Sequence, residues 1–284
     1  LPEAHPAAPA PVSAIMSGAM IKLGLYGVLR IMAIIGEPSV WQGWTLLAIG
    51  VATGIYGAIS ALSQGNLKRL LAYSSIENIG IIAIGLGLGV IGMAQGRMAM
   101  GMLGFAGAFV HILNHSAMKG LLFLGAGAVA RQTGTLELEK LGGLMKRMPW
   151  TGSCFVTGAA AISGLPPFNG FIGELLILLA GFVGVLAGEL GVAAPSVVAL
   201  SALALIGGLA PAIFSKAAGT AFLGEPRSEA AANAKEASDS MLFPQAVLAF
   251  LCLLLAVTAQ KIVETVLPAI AKSAGIDALD LEPG

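Results

Sequence analysis

From Leu70 to Val90 the chain runs for about twenty residues, the length of one membrane crossing, with Glu77 as its one charged side chain, and such runs recur along the sequence. At about 1.5 Å of rise per residue, each matches a hydrocarbon layer about 30 Å thick. The runs lack the period-two alternation of barrel strands, so inside lipid their backbone N–H and C=O groups can be satisfied only as helices. Composition agrees: 57% of the 284 residues are hydrophobic, 11% are charged, and mean hydropathy is +0.89. Soluble domains carry about 25% charged residues. The expected fold class is all-α, a polytopic transmembrane helical bundle of about seven spans, one of them a discontinuous (broken) helix.

The expected spans are 12–35, 41–62, 70–90, 98–130, 150–188 (broken near 164–170), 196–222 and 243–267, within a single transmembrane domain. Leu1 to Pro11 holds four prolines, which forbid a continuous helix and suit a loop ending with Pro11 near the first helical position. It has neither the basic n-region nor the h-region of a signal peptide, and is expected to continue from a longer chain. Trp41 and Trp44 stand where an aromatic belt sits. Asn66 to Arg69 reads as a basic connection, Arg131 to Arg147 as a polar one, and Gly224 to Ser240 as a flexible loop. Pro211 predicts a kink, Lys261 and Glu264 fall near the outer end of the last span, and the tail from Ala271 is too polar to cross.

The stretch from Trp150 to Gly188 is too long for one continuous span and short for two. Counted as one crossing, it puts Lys68, Arg69, Arg131, Lys140, Lys146, Arg147, Arg227 and Lys235 on one side, with Arg97 and Lys272 opposite. Counted as two, it weakens the basic bias that marks a cytoplasmic face, so one discontinuous helix is expected, with the basic loops cytoplasmic. Gly164, Pro166, Pro167, Asn169 and Gly170 form the break. The prolines lack N–H groups, so carbonyls before them need other partners, and Asn169 is placed to cap the resuming half-helix.

Charged side chains in these spans are costly, by about 2.5 to 3.5 kcal/mol at a bilayer centre on insertion scales, and face protein or water. His111, His115 and Lys119 are spaced four apart, which sets them on one helix face about 6 Å apart in rise. Lys22 sits in the middle of the first span, too deep to snorkel easily. Glu174 falls in the first turns after the break, where the helix dipole favours a carboxylate and burial disfavours it. These five residues are the candidate proton relay. Glu77 and Lys216 are accessory candidates, Lys216 reading more simply as a snorkelling residue near a span end. The structural alternative is that Asn114, His115 and Ser116 only hydrogen-bond neighbouring helices, but that leaves the lysine unexplained.

Several classes are excluded. A formal net charge of zero leaves no electrostatic footprint for nucleic acid. Cys154 and Cys252 stand singly, with no CxxC, no metal-ligand spacing and no haem-attachment motif, so neither a metal nor a cofactor is expected and the chain has no redox centre of its own. Gly87 to Gly92 spells a dinucleotide fingerprint, but it lies in an apolar helix with no strand before it.

The runs LPEAHPAAPAPVSAIMSGAMIKLGLYGVLR, GNLKRLLAYSSIENIG, HILNHSAMKGLLFLGAG and GLPPFNGFIGE resemble the antiporter-like membrane subunits of the complex I superfamily, shared with Mrp-type cation/proton antiporters. SSIENIG, LEKLGGLMKRMPW and GEPRSEAAANAKEASDSM most resemble the large membrane subunit of membrane-bound hydrogenases and formate hydrogenlyase. The resemblance implies two inverted five-helix repeats, each with a broken helix, and a central polar axis that moves protons. It implies that Leu1 to Pro11 joins helices seven and eight, that the chain covers helices eight to fourteen, and that part of the path lies upstream. Lys22 then takes the eighth-helix lysine position, His111, His115 and Lys119 the eleventh-helix positions, and Glu174 the charged position of the broken twelfth helix. The implied setting is a prokaryotic cytoplasmic (inner) membrane. The implied partners are other membrane subunits and a peripheral redox arm of hydrogenase or NADH dehydrogenase type.

Three functions follow as expectations. In the first, redox-driven proton translocation, Lys22 exchanges a proton with Lys119 through His111, His115 and trapped water, and Glu174 passes it outward. The second is Mrp-type sodium/proton antiport, with free carbonyls at the break as a cation site. The third is a non-transporting scaffold packed through small residues such as Gly184 and Gly188.

Overall fold

The computed structural model describes residues 1–273, and their long elements are all helical. Helix α1 covers 10–35 in three pieces, Ala10–Ile15, a π-helical turn at Met16–Met20, and Ile21–Ile35. Then follow α2 (Val40–Ser63), α3 (Leu67–Ala94), α4 (Met98–Thr133), α5 (Pro149–Ile162), α6 (Asn169–Leu186), α7 (Leu190–Phe222), α8 (Asp239–Val257) and α9 (Ala259–Ser273). Seven are long and apolar enough to cross a membrane: α1 as Ala10–Met32, α2, α3, α4, α6, α7 and α8.

The ends follow local chemistry. Asn66 Oδ1 accepts from the N–H groups of Lys68 and Arg69, so α3 starts at Leu67. The expected basic connection is therefore the first turn of the helix itself. Gln42 Oε1 accepts from Ser39 N–H at 3.0 Å, one half of a capping box for α2. Pro149 opens α5, where a missing N–H is harmless, and Gly134 closes α4 at φ 69°. Helix α7 begins six residues before the expected 196, with Pro195 inside it.

Helices α3 and α4 form the axis. In the most apolar window of each helix, 83% of α3 residues are buried against 11% for α8, so α3 is wrapped by protein and α8 faces outward. Glycine makes this wrapping possible: a Cβ at Gly80 would lie 2.4 Å from Gly54 N, and one at Gly104 would lie 2.6 Å from Gly89 N. Backbones of α2, α3 and α4 thus touch directly, the small-residue packing expected where lipid gives no hydrophobic drive.

The broken crossing is read from its neighbours along α4. Phe155 packs at Gly125, Gly158 at Leu121, Gly170 at Met118, Asn169 at Asn114, Gly173 at His111 and Ile177 at Gly107. Apart from the adjacent Asn169 and Gly170 at the break itself, numbers fall along α4 as they rise through α5 and α6, so the two halves run as one antiparallel crossing with the break beside the middle of α4. The Ala159, Ala160 and Ala161 carbonyls before the break are taken by the N–H groups of Ser163, Leu165 and Gly164. Asn169 does not cap α6, contrary to the sequence expectation. Phe168 holds the cap position, and Asn169, as the first helical residue, turns its amide toward α4.

One end of the bundle gathers the basic loops. Asn66 bridges to Glu137, Arg227 donates to the Leu138 and Glu139 carbonyls, and Lys146 pairs with Glu225 at 2.8 Å. Arg97 pairs with Glu189 at the other end. The expected last span, 243–267, is shorter than read. Its helix ends at Val257, where Thr258, Gln260 and Lys261 interrupt the apolar run, and Lys261 and Glu264 lie exposed in α9. Gly188 is a turn residue at φ 74° with no atom near its Cβ position, so it does not pack helices. The expectation of a polar tail from Ala271 falls outside the described residues beyond Ser273.

Replacing Gly80 with leucine should force α2 from α3 and destabilise the fold by about 1 to 3 kcal/mol or more. Gly24→Ala, where no atom lies within 4 Å, should be neutral. Thermal unfolding in detergent separates the two.

Candidate functional site

Midway along α4, His111, His115 and Lys119 are each fully buried, and Lys22 of α1 is 7% exposed. Helix α1 lies antiparallel to α4, with Ala10 against Gly127 and Gly18 close to the Ser116 carbonyl. That places Lys22 beside His115, Nζ to Nδ1 at 2.7 Å, and Lys22 Nζ also donates to the Ser17 carbonyl in the π-helical turn. A π turn frees carbonyls from the α-helical ladder, and here one of them meets the lysine. Ser17 Oγ lies 2.7 Å from Ser75 Oγ, tying α1 to α3 at the same depth.

Helix α3 supplies the rest. Lys119 Nζ donates to the Leu71 carbonyl at 3.0 Å and to Ser74 Oγ, and stands 5.5 Å from the centre of the Phe214 ring. Asn78 Nδ2 donates to the Ser74 carbonyl at 2.8 Å, so its Oδ1 is the atom 3.0 Å from His111 Nε2. A carbonyl oxygen accepts only, so His111 carries its hydrogen on Nε2 and leaves Nδ1 as an acceptor. The two histidine rings lie 6.5 Å apart between centroids. Lys22, His115, His111, Asn78, Ser74 and Lys119 thus form one buried polar line between α1, α3 and α4.

The line has no carboxylate partner. Among the described residues the ion pairs are Arg69–Glu3, Arg97–Glu189 and Lys146–Glu225, all at the bundle ends. Glu77 is fully buried with no protein hydrogen bond to either oxygen. Glu174 stands at the break, its Oε2 2.9 Å from where a Cβ on Gly164 would lie and 3.9 Å from one on Gly207 of α7. Neither acid is hydrogen-bonded to the line. Lys216 lies apart from it, donating to the Leu62 and Gln64 carbonyls at 2.7 and 2.8 Å and closing the end of α2. At the break Pro166 and Pro167 point outward, while Gly170 sits so close to Ala161 O that a Cβ would lie 2.0 Å from it.

Four residues escaped the sequence reading: Ser17, Ser74, Asn78 and His5. Ser74 and Asn78 stand four apart, a spacing that sets both on one face of α3 and signals an inward polar face. His5 gave no such signal, standing alone in a proline-rich loop. It is fully buried, stacked on Phe123 at 4.6 Å one turn beyond Lys119, and its carbonyl accepts from Ser13 Oγ.

Residues 1–193 match the family described as "NADH:quinone oxidoreductase/Mrp antiporter, TM", and the chain belongs to it. Hydrogenase-4 component B of Escherichia coli (strain K12) is 43% identical over 265 residues, covering 91% of this chain and 39% of that protein. Formate hydrogenlyase subunit 3 of the same organism is 40% identical over 254 residues, covering 89% and 42%. The fold is shared with the Mrp complex from Dietzia sp. DQ12-45-1b, with a TM-score of 0.81 and 23% identity over 96% of this chain and 55% of that one. The chain spans about two fifths of the length of the curated relatives it matches.

Burial, with the Lys119 charge second, lowers the His5 pKa from 6.5 to about 4. Between those values the unfolded segment binds a proton that the docked one does not, so docking is strongest above pH 6.5 and weakens as pH falls toward about 4. With the pH dependence of intrinsic amide exchange divided out, the protection of residues 4–13 should fall from pH 7 to 5 in the native protein. His5→Phe, which keeps the stack and removes the titration, should abolish that change.

Proposed function

We propose that this chain carries one proton path of a proton-translocating membrane subunit, driven by a redox partner. The observation that carries the reading is the buried line from Lys22 to Lys119, hydrogen-bonded at both ends and with no carboxylate hydrogen-bonded to it. A lysine in such a place has its charge governed by whatever field its neighbours set, which suits a group that must gain and lose a proton in turn. At the Lys22–His115 bond a proton moves from ammonium to Nδ1, leaving an amine and an imidazolium with the bond intact. Asn78 is an amide and does not relay. It fixes the His111 tautomer, and water between the rings spans the remaining gaps. Glu174, at the break and against α7, is the outward step.

The relatives' names, a hydrogenase component and a formate hydrogenlyase subunit, support a peripheral redox arm of hydrogenase type and further membrane subunits as partners. An NADH dehydrogenase arm is the alternative donor within the family. The gathering of basic loops at one end supports that end as cytoplasmic in a prokaryotic inner membrane.

The test uses the full-length subunit in its assembled complex, reconstituted in vesicles. Lys119→Ala and Lys22→Met should each lower the rate of proton translocation by about a hundredfold or more, the scale of a lost proton-transfer group, with assembly retained. Exchanging sodium for potassium should leave the native rate unchanged. Undiminished translocation in both variants would overturn the reading, and a sodium requirement would replace the proton with that ion.

A further inference from the structure

Where α5 and α8 begin, a groove of about 330 Å³ opens on the outer surface, lined by Trp150, Cys154, Asp239, Leu242, Phe243 and Ala246. Its two walls are helix faces. Residues 150 and 154 stand one turn apart on α5, and 239, 242, 243 and 246 follow the i, i+3, i+4, i+7 spacing of one face of α8. Their neighbours point the other way: Phe155 and Gln245 both meet α4 at Gly125, 3.0 and 3.5 Å from where its Cβ would lie. The groove therefore faces away from α4, and the short side chains of Cys154 and Ala246 make room for it.

The lining is apolar except for one acid. Trp150 is 70% and Phe243 72% exposed, two aromatic rings without protein cover. Asp239 is exposed, and among the described residues it enters none of the ion pairs. As the first residue of α8 it suits the helix dipole, a role that leaves its oxygens free for a ligand. Glu236, three residues earlier, is spent on α5: its oxygens accept from Trp150 N–H at 2.8 Å and Thr151 Oγ1 at 2.7 Å, which ties the two helix starts together. No basic side chain lines the groove. A carboxylate beside aromatic faces attracts an ammonium through an ion pair and cation–π contact, and repels a headgroup whose only charge is negative. Aromatic rings at the ends of crossings sit at headgroup depth, and Leu242, Ala246 and Cys154 lead from there into the apolar layer.

We propose that this groove binds a phospholipid with an ammonium headgroup, phosphatidylethanolamine. The ammonium donates to the Asp239 carboxylate and lies against Trp150 and Phe243, and an acyl chain descends the seam past Leu242, Ala246 and Cys154. A primary ammonium brings three N–H donors, and the acid has two oxygens to receive them. Bound there, the lipid joins α8, the crossing with the smallest buried share, to the first half of the broken one. The site stands apart from the buried polar line, so it holds whether or not protons pass along that line.

The test uses the full-length subunit in its assembled complex, reconstituted in vesicles of phosphatidylglycerol alone or mixed with equal parts of phosphatidylethanolamine. Cys154, half-buried in the groove, is the reporter, and the fully buried Cys252 is the internal control. Alkylation by a membrane-permeant maleimide is followed by peptide mass spectrometry. Phosphatidylethanolamine should slow Cys154 labelling by about two- to fivefold, the scale of one exposed ion pair or cation–π contact, and leave Cys252 unchanged. Asp239→Asn and Trp150→Leu, both at exposed positions, should each remove most of that slowing. Asp239→Lys should reverse the preference, so that phosphatidylglycerol protects better. Equal labelling in the two vesicles, whether fast in an empty groove or slow under a protein neighbour, would overturn the proposal. So would slowing by phosphatidylethanolamine that persists in Asp239→Asn and Asp239→Lys, because the bilayer and not the groove would then be its cause.

Discussion

Two lysines stand inside the lipid-spanning layer with no acid hydrogen-bonded to them, and much of the structure exists to make that tolerable. Their hydrogens go to backbone carbonyls, a serine hydroxyl and an imidazole: Ser17 O and His115 for Lys22, Leu71 O and Ser74 Oγ for Lys119. Such partners solvate an ammonium without neutralising it. A carboxylate at either place would pin the proton. The π-helical turn in α1 and the serines of α3 are local departures from regular apolar helix, and each of them answers one lysine.

Those partners can reach the lysines only because the helices approach so closely. Gly54 against Gly80 and Gly89 against Gly104 let α2, α3 and α4 touch backbone to backbone, which carries Leu71, Ser74 and Asn78 to the polar face of α4. Gly173 does the same for α6 at His111. The break adds a second purpose: a half-helix beginning beside the middle of α4 brings its first residue, Asn169, to the depth of the histidines.

Much of this was legible in the sequence. Runs of apolar residues gave the spans, the spacing of His111, His115 and Lys119 gave one helix face, and Pro166 with Pro167 marked the break. Lys22 was legible by its depth alone. What escaped was set by tertiary contact. Asn169 reads as a cap from local chemistry, and it forms a clasp because α4 offers a better partner. His5 reads as an exposed loop residue, and it is buried because Phe123 gives its ring a flat apolar surface. The end of α8 at Val257 was missed because the amphipathic α9 continues the apolar pattern after a short polar interruption.

The central claim is that Lys22, His115, His111 and Asn78 share hydrogen bonds in the interior, with the His111 hydrogen held on Nε2. Nitrogen-15 spectra of the two imidazoles, recorded on the full-length protein in bilayers, read this directly. The account predicts His111 in the Nε2–H tautomer, lost in Asn78→Leu, and a His115 Nδ1 resonance that shifts in Lys22→Met while His111 stays unchanged. A His111 hydrogen on Nδ1, or a His115 resonance indifferent to Lys22, would contradict it.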